Sequence, residues 1–310
     1  MVRKNGQIIH GWINLDKPID MGSTQALGAV KRIINPRKAG HAGTLDPLAT
    51  GILPIALGDA TKLVNYVQDS LKIYEFTVKW GERTDTDDAE GDVIATSSHI
   101  PSKEDILAAL PLFIGDIEQI PPKYSAIKID GQRAYDLARA GHDVEIKSRI
   151  IYIEELTLLE HTENTATFSC CCGKGTYVRA IARDLAHHLE TEGHITYLRR
   201  TMVGPFTTEN AVSLDVLENL SDKGDLEDIL LPLETVLDDI PALHLTEAEA
   251  SRLKNGNALS FISRVDFDRL LSANINTEDG DTAAAFYNGN LVSIVNVTGP
   301  RIQPERVFNT

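Results

Sequence analysis

The sequence is short of base. Its 310 residues hold 30 Lys+Arg against 45 Asp+Glu, a formal net charge of −15. Taken alone, that balance argues against a nucleic-acid partner, which usually meets a basic surface. The sequence is also short of cysteine, with three in all, consecutive at Cys170-Cys171-Cys172. Neighbours along a strand point to opposite faces, so no ordinary disulfide or tetrahedral metal cage fits them. They read as small apolar residues in a reducing compartment. No run approaches the ~18 continuous apolar residues of a membrane helix. No apolar signal core follows the basic start at Arg3-Lys4. A cytoplasmic location is expected, with no membrane association. His187-His188 lacks a third ligand at a recognisable spacing, so no metal site is expected there. No internal repeat and no low-complexity tract occurs, and nothing signals a dimer interface. A monomer without an obligate protein partner is expected.

What is present is enough for a folded chain. A hydrophobic content of 42% excludes global disorder. The length exceeds the ~100–200 residues of an ordinary domain, so two unequal domains are expected. Net charge is a sum, and its distribution matters more. Residues 1–64 carry eight Lys/Arg against four Asp, whereas 209–239 carry ten carboxylates and one base, Lys223. The molecule is polarised.

Ile8 to Leu15 reads as a strand ending at Asp16-Lys17-Pro18. Gly22-Ser23-Thr24 offers an N-cap for a helix with Ala26, Leu27, Val30, Ile33 and Ile34 at helical spacing, stopped by Asn35-Pro36. Arg37 to Leu53 has no clean period and reads as a long ordered loop. Asp59 can cap a second helix carrying Leu63, Val64 and Val67. Residues 74–80 alternate strictly and read as a strand. Residues 81–91 read as an acidic, solvated, turn-rich loop. Ser102 caps a short helix. Residues 127–129 lead into a turn at Asp130-Gly131, and Gln132 to Ala140 has helical spacing. Arg149–Leu159 and Ala166–Cys172 read as strands, and Thr176–Leu189 as an amphipathic helix. The acidic stretch 209–239 reads as a helical connector. Beyond Pro241, Thr246-Glu247-Ala248-Glu249 is a capping box and Asn288-Gly289 a hairpin turn. Strands and helices mix without a βαβ rhythm, so the fold class is α+β.

Residues 38–54 form a constrained loop presenting one carboxylate, Asp46. Gly40, Gly43 and Gly51 permit tight turns. Pro47 pushes Asp46 out of the helical region. No second carboxylate lies nearby in sequence, so a glycosidase-like pair is not indicated. A lone carboxylate suits a nucleophile on a sugar or an electron-poor ring, although such an aspartate is also a common turn former. Gly173-Lys174-Gly175-Thr176 echoes a phosphate loop but lacks its upstream glycine. The acidic run 82–92 lacks EF-hand spacing.

Gly40-His41-Ala42-Gly43-Thr44-Leu45-Asp46-Pro47-Leu48-Ala49-Thr50-Gly51 closely resembles the catalytic motif of the bacterial tRNA pseudouridine synthase B family. Ordered blocks at 12–18, 72–76, 81–88, 121–126, 131–135, 174–179 and 197–200 resemble that family too. The resemblance implies a central mixed, mainly antiparallel sheet flanked by helices in a catalytic domain of residues 1–240. Residues 209–239 are its acidic connector, and 241–310 a small β-rich PUA-like domain. It implies isomerisation of uridine 55 in the tRNA T loop, without metal or redox cofactor. Asp46 would be the nucleophile, Arg179 its ion-pair partner, and Tyr74 the ring stacking on the flipped base. Tyr177 and Leu198 would line the pocket. His41 would fill the gap that the extruded base leaves. An RNA-folding chaperone acting on tRNA is an additional role that the resemblance allows. Candidate phosphate ligands are Lys17, Arg37, Lys38, Lys62, Lys123, Lys128, Arg133, Lys174, Arg199 and Arg200. The two acidic stretches, 82–92 and 209–239, are expected to face away from RNA.

Overall fold

The structure is a computed structural model that describes residues 6–125, 128–129, 132–133, 146–278 and 280–309. Its first half runs β1 (Gly11–Lys17), α1 (Ser23–Ile34), β2 (Ala39–His41), β3 (Thr50–Leu57), α2 (Val64–Asp69), β4 (Lys72–Trp80), β5 (Glu82–Thr84), β6 (Val93–Thr96), α3 (Lys103–Ala109) and β7 (Gly115–Gln119). It continues through the short pair β8 (Lys128–Ile129) and β9 (Gln132–Arg133) to β10 (Arg149–His161), β11 (Thr165–Cys172), α4 (Val178–His188), β12 (Gly193–Val203), β13 (Phe206–Thr207) and α5 (Leu214–Lys223). The first two residues of the expected 132–140 helix thus lie in a strand. The rest of it, and the Asp130-Gly131 turn, lie outside the described residues.

Seven strands form the spine of the main sheet in the order β1-β3-β12-β4-β11-β10-β7. Only β3 and β12 run parallel, so the sheet is mixed and mainly antiparallel. Its centre is pinned by Phe76 and Phe168, register partners whose rings stack at 5.3 Å. Burying each such ring contributes roughly 2–3 kcal/mol. One face packs on α1, α3 and α4 through Val30, Ile106, Ile181 and Leu185. The three cysteines are free thiols on β11, with Cys170 and Cys172 buried on the same face.

The largest departure from the sequence reading lies in 37–53, where the expected loop contains β2 and the start of β3. Strand β3 carries no strand signature in the sequence because it is buried from Gly51 to Leu57, giving an unbroken apolar run instead of alternation. The sheet forks there. Strand β12 pairs with Thr50 and Gly51 at the start of β3, and β2 pairs with Ile55–Leu57 at its end. The connection between β2 and β3 carries Asp46 and sits in the fork. Gly51 makes the fork possible: its φ is +100°, and a Cβ there would lie 2.1 Å from the Arg200 carbonyl oxygen.

The chain ends in a second sheet. Strands β14 (Ala242–His244), β15 (Leu259–Ser260), β16 (Asp281–Tyr287), β17 (Asn290–Thr298) and β18 (Arg301–Val307) lie in the order β14-β16-β17-β18-β15. Helix α6 (Glu247–Lys254) starts at the expected capping box, with Thr246 Oγ1 accepting from the Glu249 N–H. Helix α7 (Arg264–Ser272) was not anticipated from sequence. The β16–β17 hairpin turns at Asn288-Gly289 as the sequence indicates. Both sheets contribute to one core, in which Trp12, Ile52 and Phe206 meet Ala284, Ile294 and Phe308. The acidic stretch 209–239 is only partly helical, combining α5 with short 3-10 turns. Among the described residues, no helix is long and apolar enough to cross a membrane.

Candidate active site

Every peptide around Asp46 is tied down. Ser23 Oγ donates to the Leu45 carbonyl at 3.1 Å and accepts from the Leu45 N–H at 2.7 Å. The cap of α1 is Gly22, and Ser23 serves as a strut for this loop. The Thr44 carbonyl accepts from Arg200 Nη1 at 3.2 Å. The Asp46 carbonyl accepts from the Ala49 N–H at 3.1 Å, and the Pro47 carbonyl from the Asp20 N–H at 2.9 Å. Gly43, at φ +103°, turns the chain where the Arg200 side chain approaches. A loop held at Thr44, Leu45, Asp46 and Pro47 presents its carboxylate in one geometry, which is what a reacting group requires.

The Asp46 side chain is 42% exposed and meets Arg179, which is 5% exposed, with Nη2 to Oδ2 at 2.8 Å. Read from spacing alone, Arg179 could belong to a solvated helix face. Instead it projects from the first turn of α4 into a polar nest. Its Nη1 lies 3.3 Å from Asp88 Oδ2 and donates to the Thr86 carbonyl at 2.8 Å. Its Nη2 also donates to the Tyr124 carbonyl at 2.9 Å. One guanidinium therefore joins two carboxylates. This corrects one expectation, since the 82–92 segment does not simply face away. The sequence neighbourhood of Asp46 holds no second carboxylate, and the one that shares its guanidinium comes from 42 positions along the chain. Asp88 is 2% exposed and Asp87 is buried on Arg183. Only folding brings residue 88 to residue 46, so no local spacing could have shown it.

Asp46 and Arg179 stand at a cleft of about 640 Å³. Tyr74, Tyr177 and Leu198 line it, as do Lys72, Arg149, Lys174 and Arg200. Five of its charged residues are basic and two acidic, Asp46 and Asp69, so the cleft is locally positive on an acidic molecule. The Arg149 guanidinium lies 4.9 Å from the Tyr177 ring centre, and that of Arg200 lies 5.9 Å from the Tyr74 ring centre. Burial pushes the Tyr74 phenol above its ordinary value, and nearby Arg200 opposes that. Tyr74 and Tyr177 are therefore wall residues with cationic neighbours. His41 lies on β2 opposite Ile55, outside the cleft lining, with its Nδ1 buried and unpartnered among the described residues.

The candidate phosphate ligands divide sharply. Lys174 is at the rim, 71% exposed, and paired with Asp69 at 2.7 Å. Lys17 is fully buried and donates to the Pro18, Met21 and Pro47 carbonyls, so it braces the Asp46 loop and offers no surface for phosphate. Lys62 is engaged by Asp59 at 2.8 Å and donates to the Val307 carbonyl at 2.7 Å, tying the second sheet to the first. Arg199 grips Asp16 with two hydrogen bonds, at 3.0 and 2.7 Å. Arg200 is buried and holds backbone carbonyls. The side chains of Lys128 and Arg133 lie outside the described residues. Composition counts these cations alike. Their burial, which follows from packing, separates struts from surface bases.

Burial lowers the ammonium pKa of Lys17 to about 8, with Asp46 opposing and Arg200 reinforcing the shift. Burial does the same to Lys72, also to about 8, reinforced by Arg200. Between pH 8 and the ordinary value of 10.5, the unfolded chain then binds more protons at these lysines than the folded one. Their linked contribution to stability therefore increases with pH across that window. The stability gap between the native protein and Lys17→Met should widen from pH 7.5 to 9.5 in urea denaturation. A gap that narrows would contradict the lowered pKa. Among the described residues, no cluster of His, Cys, Asp or Glu is arranged to hold a metal ion.

Comparison with known proteins gives this geometry a family. Residues 31–178 match the model of the TruB family pseudouridylate synthase N-terminal domain, and 179–238 that of the tRNA pseudouridylate synthase B C-terminal domain. The border between the two models falls inside α4, so it marks no break in the fold. The tRNA pseudouridine synthase B of Bradyrhizobium diazoefficiens is 52% identical over 99% of this chain and 88% of its own length. That of Rhodospirillum rubrum is 48% identical over 99% of both chains. A crystal structure of a Cbf5-Nop10-Gar1 complex shares the fold, with a TM-score of 0.71 at 24% identity over 97% of this chain and 85% of that one. The Asp46 loop, the cleft beside it and identity sustained along nearly the whole sequence agree, and this chain belongs to the tRNA pseudouridine synthase B family of isomerases.

Proposed function

We propose that this chain converts uridine 55 in the T loop of tRNA to pseudouridine, with Asp46 as the nucleophile. The observation that carries this reading is the Asp46–Arg179 pair at 2.8 Å, beside a cationic cleft walled by two tyrosines. An Asp46 carboxylate oxygen attacks the ribose C1′, and the C1′–N1 bond electrons leave with the uracil. The base rotates, C5 forms a bond to C1′, and the Asp46 oxygen departs. The proton on C5 is lost and N1 gains one, so the net change is an isomerisation needing no redox equivalent. Arg179 orients the attacking carboxylate. C1′ and C5 are out of reach while the uridine is stacked, so the base must leave the loop. Tyr74 supports the flipped base, Tyr177 and Leu198 complete its pocket, and His41 occupies the gap left in the RNA.

Phosphate contacts supply most of the binding energy, and Lys174 and Arg149 at the cleft are the bases best placed for them. Residues 1–240 form the catalytic part, and 241–310 the PUA-like appendage. The protein works as a cytoplasmic monomer. Asp46→Asn should release tritium from C5-labelled uridine in a T-arm stem-loop more than about 10⁴-fold more slowly than the native protein. Its RNA affinity should be nearly unchanged. Release at the native rate would overturn the nucleophile assignment.

A further inference from the structure

Edge strand β7 ends at Gln119, where the main sheet meets the first turn of α4. The Gln119 side chain is 1% exposed and directs two hydrogen bonds to one residue 58 positions away. Its Nε2 donates to the Tyr177 carbonyl at 3.2 Å, and its Oε1 accepts from the Tyr177 N–H at 2.9 Å. A side chain thus supplies the paired donor and acceptor that a neighbouring strand would supply. Tyr177 is the N-cap residue of α4, in extended conformation, with no side-chain cap. Its backbone direction sets how the chain enters the helix.

Neighbouring contacts converge on the same turn. Arg149, the register partner of Gln119 on β10, faces the Tyr177 ring and donates to the Gly175 carbonyl. The Ile120 carbonyl accepts from Arg183 Nη2 at 2.7 Å, and the Tyr124 carbonyl from Arg179 Nη2 at 2.9 Å. The amide does more than fill space, because an apolar residue of equal volume would leave the Tyr177 N–H and carbonyl without these partners. Both bonds go to the residue that lines the cleft and precedes Arg179 by two.

We propose that Gln119 is a positioning residue for the isomerisation. By pairing with both backbone groups of Tyr177, it aims the first turn of α4. It thereby sets the Tyr177 ring on the cleft wall and the Arg179 guanidinium on Asp46. The inference rests on the reading of Asp46 as nucleophile.

Gln119→Met keeps the volume and removes both bonds. Its kcat on a T-arm stem-loop should fall about 10- to 100-fold, as expected for a reacting group displaced by about 1 Å. KM and RNA affinity should stay within about threefold of the native values, a split that a general loss of structure does not produce. Gln119→Asn, too short to reach both backbone groups, should show the same split. A folded variant with kcat within about twofold of native, or a loss carried by KM, would overturn the proposal. So would failure of both variants to fold, since Gln119 would then serve stability alone. Native protein and Asp46→Asn run in the same assay keep the two readings apart. If Asp46→Asn is inactive while the Gln119 variants match native protein, only the positioning role fails.

Discussion

Arg179→Met is expected to lose turnover by at least about 10³-fold and to lose roughly 3–5 kcal/mol of stability. Both losses have one cause. The guanidinium is shared between Asp46, at the cleft, and Asp88, whose side chain is 3% exposed. Removing it leaves the Asp88 charge buried without its cation, the costly way to break an ion pair. Asp46 is half-exposed and loses its orientation more than its solvation. The two effects should therefore separate. Adding Asp88→Asn to Arg179→Met removes the buried charge and should recover much of the stability, while turnover stays low. Urea denaturation and single-turnover kinetics on the same three proteins measure this. Recovery of turnover along with stability would show that Arg179 acts on the fold and not on Asp46.

Arg200→Met is expected to cost about 3 kcal/mol and at least about 10²-fold in turnover. The buried Arg200 donates to the Ile52 carbonyl at 2.7 Å and the Thr44 carbonyl at 3.2 Å, and its guanidinium neighbours the Tyr74 ring. Ile52 belongs to the fork of the main sheet and Thr44 to the Asp46 loop, so one side chain holds the loop to the strand beneath it. Methionine fills the space but leaves both acceptors unpaired. Arg200→Lys keeps a charge but lacks the planar fork that reaches two carbonyls at once, so it should recover little turnover. Calorimetry and stem-loop kinetics test both variants, and native turnover in either would contradict a bracing role.

How much of this was legible depended on whether the signal was local. The alternation of 74–80, the Thr246 capping box and the Asn288-Gly289 turn are encoded by neighbours in sequence, and each formed as read. Strand β3 was not legible, because burial on both faces erases the alternation that marks a strand. The Asp46 loop was legible through its family motif, yet none of its braces was. Ser23, Lys17 and Arg200 act through contacts 22, 30 and 156 positions away in sequence. The acidic segment 82–92 read as solvated because composition does not record depth, and Asp87 and Asp88 are buried against arginines of α4.

The sequence by itself determined the α+β class and the family, since both are written in residue order, and it singled out the loop that presents Asp46. The tertiary structure alone decided what the charges do. It buried Lys17 and Arg200 among backbone carbonyls, paired Lys62 and Arg199 with neighbouring carboxylates, and brought Asp88 to the guanidinium that Asp46 uses. The physical reason is that a charge acts over a few ångströms, through partners and burial that packing sets and chain position does not. The shortage of base is therefore a property of the whole chain, and the cleft that holds Asp46 is basic.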